Sequence, residues 1–319
     1  MGAPQLITVG TWRAEDTSMG PVLAALDGLR CRDHRGAVRA SFLTLLAVGG
    51  ASVEVDEVFD TVHRLGELQP SRVVVVRVVG GDEHRLSGRV GVHLLPRRDQ
   101  CLGIDDIALE VAGPVTSHLD SVVEPLTLPD LPVVVWCWER LPPAHSPLIG
   151  VADHLVVDTA RAGGRSRLPA LARLQARVPV TDLAWLRLLP LRRRLALILH
   201  QAQLRFALDE VTSATVTGSD LERALLAGWL GDRLPGVTVA EDVGGSASPS
   251  LALEADTLRI AVERGDGTVT AVVTGAGRVR WRSTTTSPPA TAEALLGQAL
   301  MRLHPDAVFA RALANAARS

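Results

Sequence analysis

Residues 72–79 read RVVVVRVV. A continuous β-branched run of this length predicts a central strand buried on both faces, since a half-exposed strand would alternate apolar and polar residues. Immediately upstream, over 53–68, Val55, Val58, Phe59, Val62 and Leu65 share one helical face, while Glu54, Glu57, Asp60, Arg64 and Glu67 lie elsewhere. A second buried strand is expected at 132–136, within LTLPDLPVVVWCWERLPP (126–143), where prolines frame three valines and a Trp-Cys-Trp end. Further strands are expected at 37–48, 89–95, 107–111 and 154–157, with helices at 17–30 and 115–123. GIDDI (103–107) reads as an acidic turn. This alternation predicts an α/β N-terminal sandwich domain over 1–178.

The second half reads differently. Thr181-Asp182 caps a long helical stretch to about residue 207, interrupted near Pro190. Ser219-Asp220-Leu221-Glu222 is a capping box opening another helix. Strands are expected at 210–217, 251–253, 258–263 and 269–273, the last two joined through Gly265-Asp266-Gly267, with an edge strand at 279–281. Helices at 291–303 and 306–316 close the chain. The expectation for 179–319 is an α+β C-terminal domain with an antiparallel sheet.

Composition removes several functions. The 319 residues carry net charge -2, which gives no long-range attraction to nucleic acid. No apolar run reaches the ~20 residues a membrane-spanning helix needs, and the first residues resemble neither a signal peptide nor a myristoylation site. A cytoplasmic location is expected. Every one of the 33 basic residues is arginine. Without lysine there is no Walker A loop, no Schiff-base chemistry and no protein-kinase strand lysine. Cys31, Cys101 and Cys137 form no metal-binding spacing and read as reduced thiols.

Catalytic spacings are missing too. The sequence holds no GxSxG, HExxH or GxGxxG, and Gly275-Ala276-Gly277 lies between antiparallel strands, the wrong setting for a dinucleotide loop. Asp82-Glu83-His84 and Asp105-Asp106 read as solvated turns, or as metal ligands if a further ligand joins them, and His118, His145 and His154 have no readable partner. The suggestive features are tryptophan and arginine, the residue types that dominate interface hot spots. Trp136 and Trp138 are two apart on one strand and so share a face, opposite Cys137. Trp185 and Arg187 repeat the mixture. Each tryptophan is either core or a docking surface. Arg161, Arg165 and Arg167 flank Gly163-Gly164 and offer an anion site, which keeps open an alternative: a sugar-phosphate-binding module or enzyme built on the N-terminal α/β domain.

HRLGELQPSRVVVVRV (63–78), LPDLPVVVWCWERLPP (128–143), ADHLVVDTA (152–160), TDLAWLRLLPLRRRLA (181–196), LLAGWLGDRL (225–234) and LMRLHPDAVFARAL (300–313) occur in this order. Together they resemble the OpcA family over nearly the whole chain. That resemblance implies a two-domain, non-catalytic accessory protein that binds glucose-6-phosphate dehydrogenase and promotes its assembly or allosteric activation, at the entry to the oxidative pentose phosphate pathway. It implies no cofactor and no metal. Contacts with the dehydrogenase are expected at Trp136, Trp138, Arg140, Trp185 and Arg187. The chain departs from the family pattern at Cys137, where relatives commonly carry another tryptophan, and at Leu186 and Leu191. Redox control, linked to photosynthetic relatives, is not carried over, because these cysteines match no such switch.

Overall fold

A computed structural model describes residues 6–33, 42–65, 72–96, 101–137, 139–201 and 210–318. The chain divides into two compact units: Met1–Asp158 with Arg177–Val180 and Leu296–His304, and Thr159–Ala176 with Thr181–Leu295 and Pro305–Ser319.

The first sheet contains β1 (Ile7–Ala14), β2 (Thr44–Gly49), β3 (Arg72–Val78), β4 (Arg85–Pro96), β5 (Cys101–Ala112), β6 (Val133–Cys137), β7 (His154–Val157) and β8 (Val180–Asp182), in the order β1-β4-β5-β3-β2-β6-β7-β8. The valine run lies inside it: Val73 to Val76 are at most 1% exposed, with β2 and β5 paired parallel on either side. Helix α1 (Met19–Arg30) buries Val22, Leu26 and Leu29, and α2 (Val55–Leu65) links β2 to its parallel neighbour β3. Asp56 and Glu57 in the first turn of α2, with His63 and Arg64 in the last, complement the helix dipole. Short helices α3 (Leu119–Val123) and α4 (Leu148–Val151) precede β6 and β7.

One expectation fails here, and one strand is unforeseen. GIDDI is no turn: Cys101–Ala112 is one strand, paired antiparallel with β4 from Arg85 to Pro96, and Asp105 and Asp106 lie inside it, 8% and 6% exposed. Long-range pairing overrides the local acidic signal. Strand β1, which pairs antiparallel with β4, carries no strand signal in its sequence, because ITVGTWRA lacks a regular apolar alternation. The part of the expected 37–48 strand before Phe42, and the ends of the expected 53–68 and 181–207 helices, lie outside the described residues.

In the second unit, α5 (Leu168–Gln175), α6 (Leu183–Arg187) and α7 (Leu189–Leu199) precede β9 (Val211–Thr217) and α8 (Asp220–Arg233). Then come β10 (Thr238–Glu241), β11 (Ser250–Ala255), β12 (Leu258–Arg264), β13 (Thr268–Gly275) and β14 (Arg278–Thr286), followed along the chain by α9 (Ala292–Leu300) and α10 (Ala307–Ala316). The sheet order is β10-β9-β11-β12-β13-β14. It is mixed, because the unanticipated strand β10 pairs parallel with β9 while the other neighbours are antiparallel. The capping box forms: Glu222 N–H donates to Ser219 Oγ at 3.4 Å, and Ser219 N–H to Glu222 Oε2 at 2.9 Å. Helix α8 lies so close to α10 that a Cβ on Gly228 would fall 2.4 Å from the Ala312 carbonyl. The protein is thus α/β with two mixed sheets.

Candidate interaction site

Trp136 is a core residue. It sits on β6 between Ala47 of β2 and Val156 of β7 and is 3% exposed. Cys137 beside it is also buried, and burial pushes its thiol up to about 12, so it is neither nucleophilic nor redox-ready at neutral pH. Cys31 is exposed and Cys101 half-buried; all three thiols are free. Trp138 lies outside the described residues. Just past it, Arg140 is exposed and Glu139 accepts a 2.5 Å hydrogen bond from Ser52 Oγ.

That bond has consequences for chemistry. Parallel strands β2 and β6 are neighbours, yet β2 continues through α2 to β3 on its other side, so a switch point falls between them. In open α/β sheets such crevices, at the carboxyl ends of strands, receive ligands. Here Ser52 from the loop after β2 and Glu139 from the loop after β6 bridge it. A carboxylate at this point disfavours a phosphate by like charge.

Trp185 is positioned by a chain of local features. Asp182 caps α6, its Oδ1 accepting the N–H groups of Ala184 and Thr159, each at 3.0 Å. Trp185 is 1% exposed; its Nε1 donates to Asp306 Oδ2 at 3.2 Å and its ring lies 5.5 Å from Phe309. The Arg192 guanidinium covers the ring at 3.4 Å and donates to the Trp185 carbonyl at 3.2 Å. Asp306 Oδ1 in turn caps α10 through the N–H groups of Val308 and Phe309, both at 2.9 Å. Trp185 therefore joins two helix starts rather than facing solvent. Arg187, two residues on, is half-buried, and its carbonyl accepts from Arg264 at 3.1 Å.

The glycine-flanked arginines are engaged within their own unit. Arg165 forks onto Glu241 at 2.7 and 3.1 Å and reaches Asp220 at 3.1 Å; these bonds, Glu241 first, raise its pKa. Arg223 joins the same two carboxylates at 3.2 and 3.6 Å. Arg167 Nε donates to the Ala162 carbonyl. Carboxylates thus occupy Arg165, the central cation of the anion site expected from sequence.

One cluster was invisible in the sequence. His63 on α2 and His93 on β4 meet Asp106 on β5, His63 Nε2 at 2.9 Å from Oδ2 and His93 Nε2 at 3.5 Å. Phe59 stacks on His63, and burial lowers the His93 pKa although Asp106 opposes it. Neighbouring Asp105 pairs with Arg30 and Arg72. The signal available was the strand itself: once 101–112 pairs with β4, paired acids inside it require buried partners. A polar cavity of about 460 Å³ opens on the same unit, lined by Arg13, Arg77, Arg85 and Arg89 among others. Each of these has a carboxylate: Arg13–Glu15, Arg77–Glu110, Arg85–Glu110 and Arg89–Asp56. Among the described residues, no group of three or more His, Cys, Asp or Glu side chains is placed to hold a metal ion, and no helix is long and apolar enough to cross a membrane.

The class these features define is an α/β protein with two mixed sheets whose prominent cations are largely neutralised by its own acids. Two family models match it in tandem, both described for a glucose-6-phosphate dehydrogenase subunit: that of the N-terminal domain over residues 62–176 and that of the C-terminal domain over 178–313. The chain belongs to the OpcA family, whose N-terminal domain is named for assembly of that dehydrogenase. No curated protein matches it by sequence. Among solved structures it is similar to UDP-N-acetylglucosamine 3-dehydrogenase GnnA from Acidithiobacillus ferrooxidans, at 10% identity and TM-score 0.44, covering 86% of this chain and 96% of that one. It is also similar to a super-repressor mutant of Gal80p from Saccharomyces cerevisiae, at 7% identity and TM-score 0.42, covering 82% and 83%.

Proposed function

We propose that this protein is a non-catalytic, cytoplasmic accessory factor that binds glucose-6-phosphate dehydrogenase and promotes its assembly or allosteric activation in the oxidative pentose phosphate pathway. The observation that carries the reading is the tandem match of both family domains across 62–313. On this reading an assembly domain spans 1–178 and a C-terminal domain 179–319. The glutamate-bridged strand-end crevice and the carboxylate-clamped Arg165 support it over a sugar-phosphate enzyme. Activation requires that the factor bind the active conformation or oligomer more tightly than the inactive one. A tenfold shift needs about 1.4 kcal/mol of such preference. Arg140 and Arg187 are the proposed contacts, with Trp138 the further contact drawn from the sequence; Trp136 and Trp185, also expected as contacts, are buried and are not proposed as direct ones.

The test pairs the purified chain with its cognate dehydrogenase and follows NADP reduction. The chain alone gives no turnover; the pair co-elutes and shows a lower apparent KM or a higher rate. Arg140→Glu weakens the effect while leaving the fold intact. Failure of the pair both to co-elute and to change kinetics, under reducing and oxidising conditions alike, refutes the proposal.

A further inference from the structure

Helix α7 presents Arg192, Leu195, Leu199 and the rim residue Arg193 to a groove completed by Trp229 and Arg233 at the end of α8, enclosing about 540 Å³. Its volume is that of a small-molecule site, and its lining is chiefly leucine and tryptophan. One polar feature does not fit an inert core. Arg192 is only 8% exposed, and its buried Nε has no hydrogen-bond partner. The acid whose charge acts on it, Asp306, is already used: Oδ1 by two backbone N–H groups and Oδ2 by the Trp185 indole. Burial lowers the Arg192 pKa to about 9, with Asp306 opposing and Arg193 and Arg233 adding to the shift. The guanidinium still carries its charge at neutral pH. A buried cation of this kind is stabilised by an anion that reaches it.

We propose that the groove between α7 and α8 binds an amphipathic carboxylate, its head group on the Arg192 guanidinium and its aliphatic chain along Leu195, Leu199 and Trp229. Exposed Arg193 and Arg233 at the rim attract such an anion, and among the described residues Arg233 meets only neighbouring Asp232, at 3.7 Å. The exposed lining is mainly apolar, which suits an aliphatic chain better than a nucleotide or a sugar phosphate. The site stands apart from the dehydrogenase reading, and its test does not involve that enzyme.

Isothermal titration of the full chain with dodecanoate, below its micellar concentration, tests the proposal, with dodecylammonium as the probe of equal tail and opposite charge. Saturable one-to-one binding of dodecanoate is expected, with none for dodecylammonium. Arg192→Gln weakens dodecanoate binding at least tenfold, since a charge-assisted contact is lost. Ala196→Trp, at an exposed position lining the same groove, fills it and abolishes binding while circular dichroism stays unchanged. This second variant decides the matter if Arg192→Gln does not fold. Absence of saturable heat with dodecanoate, equal binding of dodecylammonium, or full binding by folded Ala196→Trp overturns the proposal.

Discussion

Replacing Asp306 by alanine removes three hydrogen bonds at once. Its Oδ1 accepts the N–H groups of Val308 and Phe309 at the start of α10, and its Oδ2 accepts Trp185 Nε1 at 3.2 Å. Loss of the cap costs about 1 kcal/mol. Leaving the indole N–H of a 1% exposed tryptophan unpaired costs roughly 1–3 kcal/mol more. Arg192, stacked on that ring, also loses its opposing charge. Asp306→Ala is therefore expected to destabilise by about 2–4 kcal/mol. Asp306→Asn keeps an acceptor for cap or indole and should cost about half as much. Urea unfolding followed by tryptophan fluorescence measures both. A loss below about 0.5 kcal/mol for the alanine variant, the level of an ordinary surface change, would refute the linkage of the two helix starts. So would equal losses for alanine and asparagine, since the acceptor would then contribute nothing.

Gly228→Ala should destabilise even though alanine is the better helix former by about 1 kcal/mol, because its Cβ meets backbone of α10 at 2.4 and 2.9 Å. A midpoint in urea at or above that of the parent chain would show that α10 can retreat at no cost. His154 gives a pH dependence of definite sign. It is 1% exposed, and burial, followed by the charge of His304, lowers its pKa to about 4. Between about 4 and the unfolded value of about 6.5 the unfolded chain binds the proton and the folded chain does not, so this contribution to stability falls as pH drops through that window. The ceiling is about 3 kcal/mol at pH 4, read as the difference in unfolding free energy between pH 7 and pH 4. His154→Gln should flatten that slope, and an unchanged slope would assign the acid sensitivity elsewhere.

Redox control through Cys137 has little physical support. The thiol is 4% exposed and held protonated by burial, while exposed Cys31 lies on another segment.

What the sequence determined by itself is whatever depends on neighbours a few residues apart. RVVVVRVV became β3 because four consecutive valines satisfy a strand buried on both faces and little else. The capping box at Ser219 and the Gly265–Gly267 hairpin are closed by their own local hydrogen bonds. Family membership was legible for the same reason, as ordered short motifs. Tertiary structure alone decided the rest. Asp105 and Asp106 look like a turn until β4 pairs with them and Arg30, Arg72 and His63 arrive from distant segments to meet their charge. Arg165 looks like an anion site until Glu241 reaches it from 76 residues away. Trp185 looks like a docking residue until Asp306 and Phe309, more than a hundred residues on, enclose it. Periodicity and capping are local, whereas the neutralisation of a charge and the covering of an aromatic ring depend on which remote segments the fold brings within hydrogen-bonding distance.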